Sequence, residues 1–343
     1  MVKKIGFACM YYHDKRNHTA STLKQIESQY NTNTTTIAWL NRQSTKVAEE
    51  KLLAIAFGNA EKAYKLINYV SNLPDALRFL RLSSDQCPAY THHQWKYFYK
   101  DKSVSDELER LWKRNGELAR LNNIRLSFHP GQFCVLASDN PDVVTNSIAE
   151  FEYHCDMIRW MGFGQTFQDF STNVHIGGRL GPEGIRAVYP RLSTEARNTI
   201  TIENDEFGWG LDSCLELRDI IPIVLDIHHY WIREEKYITP DDIQYNKVLE
   251  SWNGVRPKIH YSYSRCEHLP ENFDHSKIPE MSFLLEEGFK KSKLRAHSDY
   301  YPNNSLNDYA LSFLETSDIM CESKMKNVAS INLYEYAKKA GFI

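Results

Sequence analysis

No apolar run in these 343 residues approaches the roughly 18 needed for a helix to cross a bilayer, which excludes a helical membrane span. The first apolar stretch, IGFACM, is broken at once by YYHDKR, so a secretory signal is not expected. Cysteine pairing signals are missing too. The seven cysteines (9, 87, 134, 155, 214, 266, 321) are odd in number and scattered, with no CxxC among them. That spacing argues against a disulfide framework and for reduced thiols in a cytoplasmic protein. An excess of one charge is also lacking: the formal net charge is −3. A wholesale basic surface is thereby excluded, while a local basic groove is still allowed. Internal repeats and low-complexity linkers are absent, and the expectation is a single domain spanning 1–343 in a monomer.

What is present is a succession of short apolar runs. Strands are expected at 3–9, 79–83, 124–129, 171–176, 199–204, 222–228, 256–261 and 318–322. Runs such as IPIVLDI and NTITIE are nearly continuous in β-branched and apolar residues, as parallel strands buried on both faces require. Helical spacing fills the gaps. Residues 141–161 open with Asn140-Pro141, an N-cap followed by proline at the first helical position, and 105–121 place Leu108, Leu111, Trp112 and Leu118 on one face. Eight strands with helical crossovers specify an α/β fold of the (β/α)8 TIM-barrel type. A doubly wound open sheet is the alternative, but it gathers its site at one crevice. The stretch 10–78 reads as the least regular part of the chain, with a polar run at 31–36, and a long insert is expected at about 10–36.

Chemistry-bearing residues recur at the ends of these runs. They are His92, His129, His175, Glu203, Asp226 with His229, Lys258 with His260, His297 and Glu322. A packed core does not ask for imidazole or carboxylate at strand ends, whereas a barrel enzyme assembles its site there. One buried histidine alone is more often a hydrogen-bonded core residue; the ensemble favours a metal centre. Imidazole with carboxylate and no thiolate pattern suits Zn²⁺, Mn²⁺ or Fe²⁺. Room for two or three ions follows, with Glu203 as the bridging carboxylate, and clustered divalent ions suit phosphodiester hydrolysis.

Two positions carry alternatives. Lys258 and His260 share a strand face, and a lysine cation beside divalent ions would lose its proton. Its neutral amine then either becomes a carbamate that ligates metal, or the lysine simply meets a substrate phosphate. Asp226 is followed by both His228 and His229; strand alternation selects the first and a turn after Asp226 selects the second. Around the rim, AYTHHQWKYFYKDK (89–102, with Trp95 and Lys96) and the group Tyr11, Tyr12, Lys15, Arg16 combine stacking rings with cations suited to nucleic acid. Gly177-Gly178-Arg179 offers either a backbone approach to phosphate or a tight turn.

HPGQ (129–132), HIGG (175–178), ENDE (203–206), the Asp226-x-x-His229 pair, RPKIH (256–260) and IMCESK (319–324) together resemble the UV damage endonucleases. These are barrel enzymes related to the endonuclease IV group, and the resemblance runs from KIGFAC to Glu322. It implies nicking of double-stranded DNA immediately 5′ to cyclobutane pyrimidine dimers and 6-4 photoproducts, by an enzyme associated with the nucleoid during repair. It implies three divalent ions, Mn²⁺ first and Zn²⁺ or Mg²⁺ as alternatives, held by His92, His129, His175, Glu203, Asp226, His229, His260, His297 and Glu322. It matches Lys258 to a carboxylated lysine, so Glu203 and Lys258 become the catalytic pair, and it selects His229 over His228. Lesion probes map to Gln132, Phe133 and Phe7; the family pattern has tyrosine where the two phenylalanines stand, so stacking is kept and a hydroxyl is lost. Tyr11, Tyr12, Trp95, Lys96 and Arg179 complete the expected DNA contacts. An abasic-site endonuclease, a metal-dependent sugar isomerase or epimerase, and a non-catalytic damage binder are the rival readings.

Overall fold

The computed structural model describes residues 2–16, 18–265, 269, 270, 273, 274 and 276–343. Eight strands form where the apolar runs predict them: β1 Ile5–Cys9, β2 Phe79–Leu82, β3 Arg125–Phe128, β4 Ser171–His175, β5 Ile200–Glu203, β6 Ile223–Asp226, β7 Lys258–Tyr261 and β8 Asp318–Cys321. Every neighbouring pair is parallel, and the sheet closes in sequence order with β8 beside β1. The expected TIM barrel is the observed fold.

Parity along each strand decides what the barrel encloses. One set of alternate positions, including Phe7, Leu80, Leu126, Phe128 and Phe170 next to β4, packs outward into an apolar layer shared with the surrounding helices. Ile202, Leu225, Ile259 and Ile319 do the same on the far side. The other set faces inward: Ala8, Phe79 and Met320 form a small cluster of their own. Gly6 belongs to this set, and a Cβ there would come within 2.5 Å of the Phe79 carbonyl, so glycine lets β2 pass close and gives the Phe79 ring its place.

At the amino-terminal ends of the strands, polar groups close the barrel. Asp318 accepts hydrogen bonds from Arg125 and Arg256, each at 2.7 Å, and from the backbone N–H of Lys4 at 3.0 Å. This ties β1, β3 and β8 together at the end away from the site.

The stretch 10–78 departs from its irregular reading. It holds helices Ala20–Glu27 and Ile37–Leu40, then a helix of 27 residues, Thr45–Ser71, capped by the Ser44 side chain. Ala48, Leu52, Ala56, Ala63 and Val70 give that helix a buried stripe of small and branched side chains against β2 and the helix Lys102–Leu121. Its alanines weaken the apolar contrast that marks an amphipathic helix in sequence. The helix Pro141–Trp160 follows expectation, with the Asn140 side chain accepting the Asp142 N–H at 2.9 Å. Among the described residues, no helix is long and apolar enough to cross a membrane. Six of the cysteines are free, and Cys266 lies outside the described residues.

Candidate metal centre and active site

The inward positions nearest the strands' carboxyl ends are Arg81, Asn173, His175, Glu203, Asp226 and His260, whereas Lys258, expected at a strand end, opens β7 in register with Asp318 and points inward two positions below His260. Loops add His129 and Glu322 directly after β3 and β8, and an open cleft of about 450 Å³ runs between Arg81, His129, His175, Glu206, His229, Arg295, His297 and Glu322. Glu203 is the hub, 1% exposed. Its Oε1 lies 2.9 Å from His260 Nδ1 and 3.7 Å from His229 Nδ1, and its Oε2 lies 3.3 Å from His129 Nε2 and accepts from the Asn173 amide. Two sets of donor atoms each fall within 4.8 Å of one another, His129 with His175 and Glu203, and Glu203 with Asp226 and His260.

Asp226 sends the two adjacent histidines to different surroundings. It ends β6 and caps the helix Ile227–Glu234, its Oδ1 accepting the His229 N–H at 2.7 Å. Three residues into a helix, His229 returns to the side of Asp226, with Nδ1 3.7 Å from Asp226 Oδ2. His228 turns away and stacks on Trp231 with ring centres 5.7 Å apart. The strand expected at 222–228 therefore stops two residues early, because a carboxylate at Asp226 is a good N-cap.

The electrostatics are those of a cluster whose protons stand where cations fit. Burial pushes the Glu203 carboxyl up, but the surrounding imidazoles, His260 and His175 first, outweigh it and hold it well below the carboxylate range. For Glu322 the same burial is outweighed by Arg81, which pairs with it, and by His260. Asp226 goes the other way: burial, then the charges of Glu203 and Glu322, raise it well above its usual range despite His229. His229 resists burial and is held at about 9 by Asp226, Glu203 and Glu206. Lys258, completely buried, is driven well below a normal lysine by burial and by the Arg125 and Arg81 cations, and its amine donates to Ser171 Oγ at 2.9 Å.

The donor set fits divalent ions on its own geometry. His129 Nδ1 lies 3.0 Å from the Pro130 carbonyl, which can only accept, so the proton sits on Nδ1 and the Nε2 lone pair faces a carboxylate oxygen of Glu203. Burial, mainly, lowers His129 to about 4, so the ring is neutral at pH 7. Two electron pairs facing each other in a buried site call for a cation between them. His175 Nδ1, Asp226 Oδ2 and His260 Nε2 are buried without a hydrogen-bond partner, again as ligand atoms are.

Other expected residues lie elsewhere. His92 is not at a strand end: it sits in the loop well beyond Leu82, its ring 4.5 Å from that of His93 and its Nδ1 accepting the Gln94 N–H, and neither donor set includes it. His297 also follows a loop rather than a strand, but an isolated bridge to Ser264 returns it to the cleft, with Nδ1 3.1 Å from the Glu322 carbonyl. Phe7 cannot probe a lesion as a surface group, because its parity points it outward into the core, where it is 1% exposed. Tyr11 is buried between Tyr30 and Tyr69, and Trp95 is buried with its indole N–H on Asn41; neither offers a free face to a base. Tyr12 is half-buried, its N–H held by Asn327. Lys96 and Arg179 are exposed, Arg179 paired with Asp139 at 3.1 Å. Gln132 is exposed, and Phe133 is 85% exposed beside the cleft. Gly178, at φ 102°, presses against Ala137 where a Cβ would meet backbone at 2.3 Å, which is the tight-turn reading.

Arg81, Asn173, Glu206 and Arg295 complete the site and were not foreseen. Asn173 was within reach, since it stands two positions before His175 and shares its face.

A closed (β/α)8 barrel with imidazoles and carboxylates converging at its carboxyl-terminal mouth defines an enzyme of the TIM-barrel class with a metal-binding type of site. The chain is similar over most of its length to known proteins. "UV DNA damage endonuclease" of Bacillus cereus (strain B4264) is 26% identical over 316 residues, covering 88% of each chain, and that of Bacillus mycoides (strain KBAB4) is 26% identical over 297 residues, covering 83% and 82%. Among solved structures, SacUVDE superposes with a TM-score of 0.71 at 20% identity over 99% of both chains, and endonuclease IV from Thermus thermophilus with 0.51 at 12% identity over 81% and 94%. The family model described as UV-endonuclease UvdE matches residues 4–341, and the chain belongs to that family. By that membership it is a nuclease acting on DNA, of the UV-damage repair class.

Proposed function

We propose that this chain nicks the DNA backbone immediately 5′ to UV photolesions, both cyclobutane dimers and 6-4 photoproducts, by hydrolysis that depends on three divalent ions, with Mn²⁺ the preferred one. The observation that carries the reading is Glu203, a buried carboxylate shared by two donor sets at the mouth of the barrel. Bound there, the ions would supply a hydroxide nucleophile near neutral pH and neutralise charge on the phosphoryl oxygens.

The protein's own groups do the rest. Glu203, His129, His175, Asp226 and His260 would hold the ions, while Asn173 fixes the Glu203 carboxylate by donating its amide. Arg81 keeps Glu322 ionised and oriented, and its second function is to add a fixed positive charge beside the scissile phosphate. His229 and His297 would serve as further ligands, each with Nδ1 held by a backbone carbonyl so that Nε2 is presented. The depressed amine of Lys258 is a nucleophile for CO₂, and a carbamate formed on it would add an anionic ligand. Gln132 and Phe133, exposed on the loop after β3, fill the gap left by the damaged nucleotides, which leave the stack at lower cost than sound ones. His92 joins this scheme only through movement of its loop.

A duplex with one cyclobutane dimer, incubated with Mn²⁺, tests the reading. The expected product is a single nick at the 5′ side of the dimer. An intact dimer strand, alongside efficient cutting of an abasic duplex, would move the chain to abasic-site cleavage.

A further inference from the structure

We propose that Phe207 and Arg295 form a second DNA contact on the wall of the cleft, the ring stacking on an unstacked base and the guanidinium holding a flanking phosphate. The inference rests on the nicking of damaged duplex proposed above. Phe207 stands on the loop after β5, whereas Gln132 and Phe133 stand on the loop after β3, with β4 between the two. Both loops line the cleft, through Gln132 on one side and Asp205 and Glu206 on the other. The pair therefore meets a duplex from a separate side.

Single exposed rings are ordinary on protein surfaces, so exposure alone assigns nothing. The loop beneath this ring is what differs. The Asp205 N–H donates to the Trp209 carbonyl at 2.9 Å and closes the loop, while Asp205 Oδ1 accepts the Phe207 N–H at 2.8 Å and also that of Gly208. From outside, the Trp209 indole N–H donates to the Gly178 carbonyl and Arg233 donates to the Gly208 carbonyl, each at 2.7 Å. These ties fix the tip of a short loop, and at that tip Phe207 is 51% exposed. A ring ordered in advance meets a flat partner at little entropic cost.

Arg295 supplies the charge. Its guanidinium lies 5.2 Å from the Phe207 ring centre, within cation–π range, and its Nη2 donates to Glu206 Oε1 at 2.6 Å. Glu206, its side chain only 7% exposed, orients the fork from below, yet the arginine side chain stays 51% exposed on the cleft. A planar fork carries five N–H donors, so donors remain for a phosphate after Glu206 has taken its share. A flat apolar face beside a fixed cation is what a base and its own phosphate require.

Single-turnover nicking of a cyclobutane-dimer duplex in Mn²⁺, run at rising protein concentration and at several salt concentrations, tests this. Each curve yields a half-saturating concentration and a limiting rate. Phe207→Ala, Phe207→Tyr and Arg295→Gln are compared with wild type, each checked for folding by urea unfolding. Phe207→Ala is expected to raise the half-saturating concentration by about 5- to 100-fold, with a much smaller effect on the limiting rate, and Phe207→Tyr to restore it. Arg295→Gln should weaken binding and also reduce the slope of log affinity against log salt by about 1, a slope that Phe207→Ala leaves alone. Wild-type half-saturation in Phe207→Ala, or a wild-type salt slope in Arg295→Gln, overturns the inference and leaves the nuclease reading intact. So does a loss confined to the limiting rate, which would make the pair a support for Glu206. Wild-type protein that leaves the dimer strand uncut overturns both readings together.

Discussion

The Asp226 carboxylate accepts the backbone N–H of His229 at 2.7 Å, so the residue that ends a strand also starts the helix that carries the next candidate ligand. Separating those two duties is possible. Asp226→Ser keeps a capping oxygen and removes the carboxylate, whereas Asp226→Ala removes both. Nicking should collapse equally in the two variants, while urea unfolding should show the Ala protein less stable than the Ser protein by about 1 kcal/mol. A Ser variant that nicks like wild type would reduce Asp226 to a cap.

Glu203→Gln should leave the barrel folded and lesion DNA bound, yet lower single-turnover nicking by about a thousandfold or more, because the bridging charge is lost while the amide keeps the shape. Gel shift on a dimer-containing duplex, run beside the cleavage assay, separates the two effects. Equal loss of binding and cutting would argue that Glu203 supports the structure instead.

The two phenylalanines expected to probe the lesion should behave as opposites. Phe133→Ala removes an exposed ring, so stability should hardly change while affinity for a dimer duplex drops by the equivalent of about 1–3 kcal/mol, the usual worth of a base stacked on an aromatic ring. Phe7→Ala empties a packed core position and should cost about 3–5 kcal/mol of stability with no selective loss of lesion recognition. Fluorescence-detected unfolding and binding titrations decide between them.

His154 should make the barrel acid-sensitive. Its Nδ1–H donates to the Glu150 carbonyl at 2.8 Å, its Nε2 has no partner, and burial lowers the ring to about 4. The unfolded chain binds this proton near pH 6.5, so the contribution is complete above that value and declines as pH falls towards 4. The largest loss from this one residue is about 3 kcal/mol. His154→Gln, whose amide can still reach the Glu150 carbonyl, should flatten the decline between pH 7 and 5 when urea midpoints are compared with wild type.

Lys258 gives a chemical prediction. If its amine is carboxylated, nicking should fall when the protein is equilibrated in CO₂-free buffer at mildly acidic pH and should return with bicarbonate, and the intact mass should rise by one CO₂. Activity unmoved by CO₂, with an unmodified mass, would favour direct phosphate contact.

Much of this was legible in the sequence, because strands buried on both faces write themselves as apolar runs and the residues that break such runs at their ends are the site. Parity was legible as well: Phe7 differs in phase from Gly6 and Ala8, so its outward direction follows from β1 itself. What the chain does not write down is the path of its loops. His92 and His297 are each flanked by polar sequence, but a bridge to Ser264 brings only the latter to the cleft. Arg81 was hidden by its setting, since an arginine between leucines in FLRL reads as an interruption of the core until Glu322 is seen opposite it. Glu206 stood in plain view within ENDE, and only the turn after β5 shows that it faces His229.

The link between Lys4 and Asp318 joins residues 314 positions apart, and the cleft itself draws on side chains from Arg81 to Glu322. Closing a ring of that span is a late event, since long loops must be ordered before their ends meet. A chain emerging from the ribosome therefore carries no competent centre until its eighth strand is out.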